Sequence, residues 1–240
     1  MTLLALSHVS KSYGALKVID DISLTVSEGE TLGILGPNGA GKTTLFNLIA
    51  GEVACDRGQV SWGGRDIGRL RPHQRCRAGI GRTYQVPQPF GNLTVFENLV
   101  TAACFGAGLP ERQAWQAAAE VLEQTGLRRH ANRPAGSLAL LDRKRLELAR
   151  ALATRPRLLL LDEIAGGLTE PEALELVGEL RRIKAASVTM VWVEHVVHAL
   201  LSIADRLFVL NFGQKLAEGE PQAVMRDAEV RRVYVGMQAR

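Results

Sequence analysis

A glycine-rich loop stands out near the start of the chain, and it reads Gly36-Pro37-Asn38-Gly39-Ala40-Gly41-Lys42-Thr43. It matches the pattern G-x-x-x-x-G-K-[ST], in which successive backbone N–H groups point inward at phosphate oxygens. Glycine suits positions 39 and 41 because side chains there would block the approach of the phosphates. The pattern predicts that Lys42 reaches the β- and γ-phosphates of a nucleotide and that the Thr43 hydroxyl ligates Mg²⁺. The candidate nucleotide-binding residues of this segment are Gly36, Pro37, Asn38, Gly39, Ala40, Gly41, Lys42, Thr43 and Thr44.

The residues around this loop predict a strand before it and a helix after it. Thr31–Leu35 is a short apolar run, typical of a strand that is buried on both faces. We expect the helix to span Thr44–Ala50 and to end at Gly51. Apolar and polar residues alternate over 22–27, so residues 1–35 are interpreted as strands, one of them with a solvated face.

A second motif ends a strand in two acids, and it reads Leu158-Leu159-Leu160-Leu161-Asp162-Glu163. Four leucines predict an interior strand, and open α/β sheets bind ligands at the carboxyl ends of their strands. We expect Asp162 to hold Mg²⁺, directly or through water. We expect Glu163 to orient or deprotonate the attacking water, a role for which a carboxylate is suited.

The rest of the chain predicts strand–helix units around a mostly helical insert. Residues 57–84 are rich in Gly and Arg and give no clear pattern, whereas the segment from Pro87 to Pro156 is helical in character. The elements expected after residue 84 are helices at Glu111–Gln124 and Asp142–Thr154, a strand at Leu158–Leu161, a helix after Pro171, a strand at Val188–Val193, a helix near 196–203 and a hairpin over 207–217. This order predicts one α/β domain over residues 1–240, with a parallel core, an antiparallel β subdomain from the N-terminal third and an inserted α-helical subdomain at 87–155.

The composition is that of an ordinary globular protein. The chain has 240 residues, of which 46% are hydrophobic and 22% charged, with a net charge of +4; these values exclude disordered, collagen-like and coiled-coil chains. The small positive surplus gives no reason to expect a nucleic-acid partner. The low-charge run Asn98–Pro110 is too short to cross a bilayer, so any membrane spans must come from another chain. Cys55, Cys76 and Cys104 are expected to be free thiols in a reducing compartment, and no signal peptide is expected at the N-terminus.

The two motifs and three further residues resemble the ATP-binding subunit of an ATP-binding cassette (ABC) transporter, over essentially the whole chain. The resemblance implies a P-loop NTPase core and hydrolysis of ATP with Mg²⁺. It implies that Tyr13 stacks on adenine and that Gln85, within Arg82-Thr83-Tyr84-Gln85, senses Mg²⁺ and the membrane subunit. It also implies that His195, which follows the strand ending at Val193, contacts the γ-phosphate. The candidate catalytic residues are then Lys42, Glu163 and His195, and the candidate metal-binding residues are Thr43, Gln85 and Asp162.

Within that superfamily, three segments resemble the ATPases of branched-chain amino-acid importers. They are Phe90-Gly91-Asn92-Leu93-Thr94-Val95-Phe96-Glu97-Asn98, Leu216-Ala217-Glu218-Gly219-Glu220-Pro221 and Val230-Arg231-Arg232-Val233-Tyr234-Val235-Gly236. The resemblance implies a peripheral subunit at the cytoplasmic face of the inner membrane. Its implied partners are two integral-membrane permeases, a second, non-identical ATPase and a periplasmic binding protein.

Other interpretations remain open at this stage. The lipopolysaccharide-export ATPase shares the region at Ile80-Gly81 and the tail, although the form Arg82-Thr83-Tyr84-Gln85 favours the importer. A nucleic-acid-associated ABC protein normally carries a coiled-coil insert or a second cassette, which this sequence lacks. A P-loop kinase would not explain Gln85 and His195 in their places, and a pure binding module would not need Glu163.

One departure from the family concerns the signature motif, normally Leu-Ser-Gly-Gly-Gln, which faces the γ-phosphate of the opposite subunit. This sequence has Leu138-Ala139-Leu140-Leu141-Asp142 before the helix containing Arg145-Leu146-Glu147. Ala139 lacks the hydroxyl, two leucines add bulk, and Asp142 is expected to repel a triphosphate. A homodimer would carry this defect twice, so we expect a heterodimer whose partner has an intact signature. A second departure puts Ile164 and Thr169 where the family usually has Pro and Asn.

Overall fold

The computed structural model describes residues 1–238. The chain divides into two compact units, one made of Met1–Pro72 and the chain from Thr189 onward, the other of His73–Val188. Up to residue 72 the elements are β1 (Thr2–Tyr13), β2 (Leu16–Ser27), β3 (Thr31–Leu35), α1 (Lys42–Ala50), β4 (Arg57–Trp62), β5 (Arg65–Asp66) and the start of α2 (Pro72–Arg77). Next come β6 (Ile80–Arg82), α3 (Val95–Phe105), α4 (Glu111–Gln124), two short 3₁₀ turns, α5 (Leu140–Ala153), β7 (Leu158–Asp162) and α6 (Glu170–Ala185). The last elements are β8 (Thr189–Val193), α7 (Val197–Leu201), β9 (Arg206–Asn211), β10 (Gln214–Gly219), α8 (Pro221–Arg226) and α9 (Ala228–Gln238).

The first unit contains an antiparallel sheet with the strand order β2-β1-β4-β5. The alternation read from the sequence is present in β2, where Ile22, Leu24 and Val26 are buried and the residues between them are exposed. One face of this strand therefore packs into the core while the other meets water. The predicted antiparallel β subdomain is confirmed.

The first unit also contains four neighbouring strands in the order β10-β9-β3-β8. Strand β3 is parallel to both β8 and β9, and all five of its residues are buried. This agrees with the prediction of a strand covered on both faces. The predicted hairpin joins β9 to β10 through Phe212 and Gly213, whose φ angles of 45° and 76° suit a tight turn between antiparallel strands.

Helix α1 follows the glycine-rich loop and begins two residues earlier than predicted, at Lys42 instead of Thr44. Gly41, with φ of 104°, is its N-cap, so the helix starts as soon as the glycine turn ends. Gly51, with φ of 81°, ends the helix as predicted.

The second unit contains the parallel pair β6 and β7 and a group of helices in which α3 packs against α4 and α5. Helix α4 has the predicted bounds, and its buried residues are the five of the predicted apolar face: Ala114, Ala117, Ala118, Val121 and Leu122. All five residues of β7 are buried, Asp162 included. The α/β fold with inserted helices is therefore confirmed, while the bounds 87–155 of the helical subdomain stay a prediction.

Two helix starts differ from their predictions, and the start of α6 is explained by its N-terminal cap. Helix α5 begins at Leu140 and ends at Ala153, whereas the sequence predicted Asp142–Thr154. Helix α6 begins before Pro171, since proline is tolerated in a first turn. Thr169 and Glu172 form a reciprocal capping box at this end, which fixes the start.

The segment that gave no clear pattern, residues 57–84, contains four short elements: β4, β5, α2 and β6. Strand β4 buries only Val60 and Trp62, so its alternation is too short to detect in the sequence. Within residues 1–238, none of the helices has the length and hydropathy needed to cross a bilayer.

Candidate functional site

The glycine-rich loop links β3 to α1 in the first unit and places its glycines where other residues would not fit. Gly39 and Gly41 have φ of 79° and 104°, in the left-handed region that favours glycine. A Cβ on Gly36 would lie 2.3 Å from the Leu210 carbonyl oxygen, and one on Gly41 would lie 2.7 Å from the Val18 carbonyl oxygen. Two of these glycines are therefore required by packing within the protein, in addition to the phosphate approach that the sequence suggested.

Lys42 is buried, with 6% of its surface exposed, at the first position of α1. Its ammonium donates hydrogen bonds to the carbonyl oxygens of Gly36 (2.8 Å) and Pro37 (3.0 Å). The side chain thus folds back over the loop that precedes it. Thr43 is exposed and Thr44 half-buried, and the first turn of α1 contains no acid that would oppose an anion at this helix N-terminus.

Tyr13 is the last residue of β1, and 47% of its surface is exposed. The Lys11 ammonium lies 5.6 Å from the centre of its ring and also pairs with Asp56 at 2.8 Å. The cation–π contact holds one side of the ring, and about half of the residue's surface stays open to solvent. The structure therefore leaves Tyr13 suited to the contact with adenine that the resemblance implies.

In the second unit, Asp162 is the last residue of β7 and is almost buried, with 6% exposed. The Arg82 guanidinium lies 3.1 Å from Asp162 Oδ2, and both side chains are at most 9% exposed. The Asp162 backbone N–H donates to the Thr83 hydroxyl at 3.2 Å. Arg82 was not predicted as a site residue, although it is the first residue of the segment Arg82-Thr83-Tyr84-Gln85, which contains the predicted residue Gln85.

Glu163 directly follows β7 with φ of 46°, an uncommon backbone conformation for a residue other than glycine. The Gln85 side chain donates from Nε2 to Glu163 Oε2 at 2.6 Å, so the structure brings these two predicted residues together. The Lys144 ammonium donates to the carbonyl oxygens of Gln85 (2.6 Å) and Glu163 (3.3 Å). Lys144 was also missed, because a lysine in a helix pattern gives no sign of what it contacts.

His195 lies two residues beyond β8 in the first unit, and its side chain is exposed. Its backbone N–H donates to Oε1 of Glu194 at 3.1 Å, and Glu194 is buried. This hydrogen bond orders the backbone at the end of β8. The backbone that carries the imidazole is therefore held in place, while the ring itself is exposed to solvent.

The signature segment differs from the expectation at Asp142. Its carboxylate lies 3.1 Å from His130 Nε2 and 3.3 Å from the Arg145 guanidinium, and its side chain is 13% exposed. The acid is thus directed at basic groups of its own unit, so the expected repulsion of a triphosphate is reduced. Ala139, at the N-cap of α5, carries no side-chain acceptor, and Leu140 is 44% exposed.

The second departure from the family has a structural explanation at both positions. Ile164 is buried, with 1% exposed, so it contributes to the core after β7. Thr169 caps α6, and its backbone N–H and hydroxyl donate to one Glu172 carboxylate oxygen at 2.8 Å and 2.7 Å. Each of the two residues thus has a structural role in this chain.

The donor groups fit a nucleotide-bound Mg²⁺. In the described part of the chain there is no group of three or more His, Cys, Asp or Glu side chains that could form a dedicated metal cage. Mg²⁺ usually binds one or two carboxylates together with phosphate oxygens and waters. A single buried acid such as Asp162 is consistent with this coordination. The loop N–H groups and the Lys42 ammonium in turn suit phosphate oxygens.

The loop between β3 and α1 has the phosphate-binding pattern of P-loop NTPases, and the chain also carries one acid at the end of β7 and another directly after it. A family profile described as "ABC transporter" matches residues 19–166, and the chain belongs to this family. It is similar to the lipopolysaccharide export system ATP-binding protein LptB of Haemophilus influenzae, with 35% identity over 238 residues and 99% of each chain covered.

Two further comparisons agree with the family. The high-affinity branched-chain amino acid transport ATP-binding protein BraF of Pseudomonas aeruginosa is 36% identical over 249 aligned positions, covering 98% of each chain. Among solved structures, the ADP conformation of MJ1267, an ATP-binding cassette of an ABC transporter, matches with a TM-score of 0.88 and 32% identity, covering 98% of this chain and 99% of that one.

These findings establish the activity at the level of the family. The chain is an ATP-binding subunit of an ABC transporter, it hydrolyses ATP, and it uses ATP with Mg²⁺. Subunits of this family work with membrane permease subunits. The predicted enzyme class and cofactors are therefore confirmed, whereas the transported substrate and its direction are a matter of proposal.

Proposed function

We propose that this chain energises an importer of branched-chain or related amino acids, at the cytoplasmic face of the inner membrane. The observation that carries the proposal is the 36% identity to the branched-chain amino acid transport protein BraF over 98% of each chain. The segment Arg82-Thr83-Tyr84-Gln85 and the segment Phe90–Asn98 support it. The partners would be two permeases, a second ATPase and, indirectly, a periplasmic binding protein.

The phosphate loop would bind the nucleotide through the first unit. Backbone N–H groups from Asn38 to Thr44 would face the phosphates, and the Lys42 ammonium would exchange its carbonyl acceptors at Gly36 and Pro37 for the β- and γ-phosphate oxygens. Tyr13 would stack on the adenine ring. These contacts would bind ATP, whereas its hydrolysis requires further groups.

Hydrolysis would depend on Asp162, which ends β7, and on Glu163, which directly follows it. Mg²⁺ supplies charge neutralisation at the phosphates, and Thr43, Asp162 and Gln85 would hold it. Glu163 would accept the proton of the attacking water, with its carboxylate oriented by the hydrogen bond from Gln85 Nε2. His195, on the exposed turn after β8, would contact the γ-phosphate.

A second, non-identical ATPase with an intact signature is proposed because of the segment 138–142. Two features of this chain support it: Ala139 brings no hydroxyl, and Leu140 places an exposed apolar side chain at the first position of α5. The acid at 142 is paired internally with His130 and Arg145, so bulk and the lost hydroxyl are the main defects. The site completed by the partner's signature would be the productive one.

A second candidate is a lipopolysaccharide exporter, favoured by the 35% identity to LptB over 99% of each chain. The two candidates differ in cargo, which contacts the membrane subunits and not the cassette. The same ATP chemistry therefore serves either one.

The test is reconstitution of the chain, together with the permeases and the second cassette encoded beside its gene, in proteoliposomes that contain ATP and Mg²⁺. We expect binding-protein-dependent uptake of labelled leucine, isoleucine or valine. The variant Glu163→Gln should retain ATP binding but lose turnover by about 10²- to 10⁴-fold, the usual contribution of a positioned base. ATP-dependent release of lipopolysaccharide with no amino-acid uptake would replace the importer by the exporter.

A further inference from the structure

Lys144 is a buried cation whose role the family assignment leaves unstated. It lies in the first half of α5, two residues beyond the signature segment, and only 3% of its surface is exposed. A buried ammonium is unfavourable unless it is hydrogen-bonded, so its acceptors show what holds it in place. Two of these acceptors are backbone carbonyls at the site of hydrolysis: Gln85 O at 2.6 Å and Glu163 O at 3.3 Å.

These two acceptors are themselves joined, which closes a ring of three residues. Gln85 Nε2 donates to Glu163 Oε2 at 2.6 Å, while Lys144 donates to the main chain of both. The ring thus fixes the backbone of Gln85, the backbone of Glu163 and the bond between their side chains. Losing the ammonium would remove one hydrogen bond from each of these two backbones.

The backbone of Glu163 needs such support. Its φ of 46° is uncommon for a residue with a side chain, so the conformation persists only where the surroundings hold it. The Glu163 carbonyl accepts from Lys144 and also from the Gly166 N–H at 3.1 Å. One of the two donors is therefore a side chain from a helix that is distant in sequence.

The same face of α5 holds the segment around Gln85, residues 84–88, through two further side chains, Glu147 and Arg150. The Glu147 carboxylate accepts hydrogen bonds from the backbone N–H groups of Tyr84 and Gln88. Burial raises the pKa of this carboxyl above its usual value, and Arg150 and the two N–H groups offset part of the rise. The Arg150 guanidinium donates to Gln88 O at 2.8 Å and to Glu147 at 3.0 Å. Residues 84–88 are thus attached to α5 along two helical turns.

We propose that Lys144 is a positioning residue for hydrolysis, whose ammonium holds the main chain of Gln85 and Glu163 so that the Gln85 side chain can orient the Glu163 carboxylate. This inference rests on the proposed roles of Gln85 and Glu163. Lys144 acts through these two residues and need not touch the nucleotide. Its loss should therefore slow turnover and leave nucleotide binding unchanged.

The test compares Lys144→Met, which keeps length and removes the charge, with Lys144→Arg, which keeps a buried donor. Lys215→Met is the control, since Lys215 is an exposed lysine paired with Glu218 on β10. In the assembled transporter we expect Lys144→Met to lower kcat by about 10²-fold, the cost of a displacement near 1 Å, with KM for ATP unchanged. Lys144→Arg should recover most of the rate, and the control should match the wild type.

A second measurement does not depend on turnover. Hydrogen exchange on the full chain should show faster exchange over residues 84–88 in Lys144→Met than in wild type, while the amides of α5 stay protected. If Lys144→Met does not fold, Lys144→Gln is measured in the same two ways.

The outcomes separate this inference from the proposed function. A wild-type complex that does not hydrolyse ATP would contradict the proposed roles themselves. An active wild type with full kcat and unchanged exchange in Lys144→Met would overturn the positioning role alone. Equal losses in folded Lys144→Met and Lys144→Arg, or a raised KM with full kcat, would also overturn it.

Discussion

The ion pair between Arg82 and Asp162 is the least expected feature among the single residues. Both side chains are almost buried, and the guanidinium lies 3.1 Å from Oδ2 of an acid proposed to hold Mg²⁺. A cation beside a metal ligand has two opposing effects, because it repels the metal and fixes the rotamer of the carboxylate. Groups that hydrogen-bond to a metal ligand orient it, and their mutation typically lowers metal affinity.

We therefore predict that Arg82→Met weakens Mg²⁺ binding by about 10- to 100-fold. Binding of ATP in the absence of Mg²⁺ should be unchanged, because Arg82 is not among the proposed phosphate-binding residues. The measurement is the Mg²⁺ concentration at half-maximal hydrolysis, together with metal-free binding of a fluorescent ATP analogue. Arg65→Met on β5, an exposed arginine, is the control. An Mg²⁺ requirement that is unchanged or lower in Arg82→Met would show that repulsion dominates.

At the scale of single residues, the sequence predicts those site residues that belong to a short local motif. The loop from Gly36 to Thr43 has its own pattern, and Asp162 and Glu163 end a run of leucines, so both were found. Arg82 and Asp162 are 80 residues apart, and their contact depends on the register that pairs β6 with β7. No single-sequence pattern specifies that register, and for the same reason the contacts of Lys144 were missed.

Among the elements, helix α3 shows how a local signal fixes a helix start. Thr94 is its N-cap: the Thr94 hydroxyl accepts from the Glu97 N–H at 3.1 Å, and the Glu97 carboxylate accepts from the Thr94 N–H at 2.7 Å. These bonds lower the pKa of the Glu97 carboxyl. The box was present in the sequence as Thr94-Val95-Phe96-Glu97 within the segment typical of the importers.

We predict that Thr94→Ala lowers the free energy of unfolding by about 1 kcal/mol, the usual contribution of an N-cap threonine. For a chain of this size that corresponds to a fall in Tm of about 2–4 °C. Thr101→Ala is the matched control, because Thr101 lies inside α3 and its hydroxyl donates to the Glu97 carbonyl at 2.8 Å without capping. The measurement is thermal unfolding of both variants. A smaller effect at Thr94 than at Thr101 would show that the cap does not stabilise α3.

Element types were easier to predict than element ends. Helix α4 has the predicted bounds because its apolar face repeats over four turns. Pro171 predicts a helix that begins only after it, whereas the Thr169 cap places this proline inside the first turn of α6. The short strands and helix over 57–84 bury too few residues to produce a periodic signal.

For the whole molecule, the proposed asymmetry follows from the signature segment at the start of α5. Two identical chains would both present Ala139 and an exposed Leu140 to the opposite nucleotide. A dimer with a different cassette would instead have one intact site. The chain on its own is therefore expected to be a weak ATPase.

We predict that the triple change Ala139→Ser, Leu140→Gly and Leu141→Gly raises the ATPase rate of the isolated chain and its ATP-dependent dimerisation. The two glycines cost about 1 kcal/mol each in helix propensity, so unfolding is followed in parallel. Leu174→Ala, at an exposed leucine of α6, is the control for surface apolar loss. Unchanged ATPase rate and dimer affinity in the folded triple variant would remove the explanation for a heterodimer.

The proposed function requires that one nucleotide and one metal ion bind to this chain. The most direct test is calorimetric titration of ATP into the protein, alone and together with its companion cassette, with and without Mg²⁺. We predict saturable binding that Mg²⁺ strengthens, that Lys42→Ala abolishes and that Glu163→Gln retains. Absence of Mg²⁺-dependent ATP binding in both preparations, or full binding by Lys42→Ala, would contradict the account.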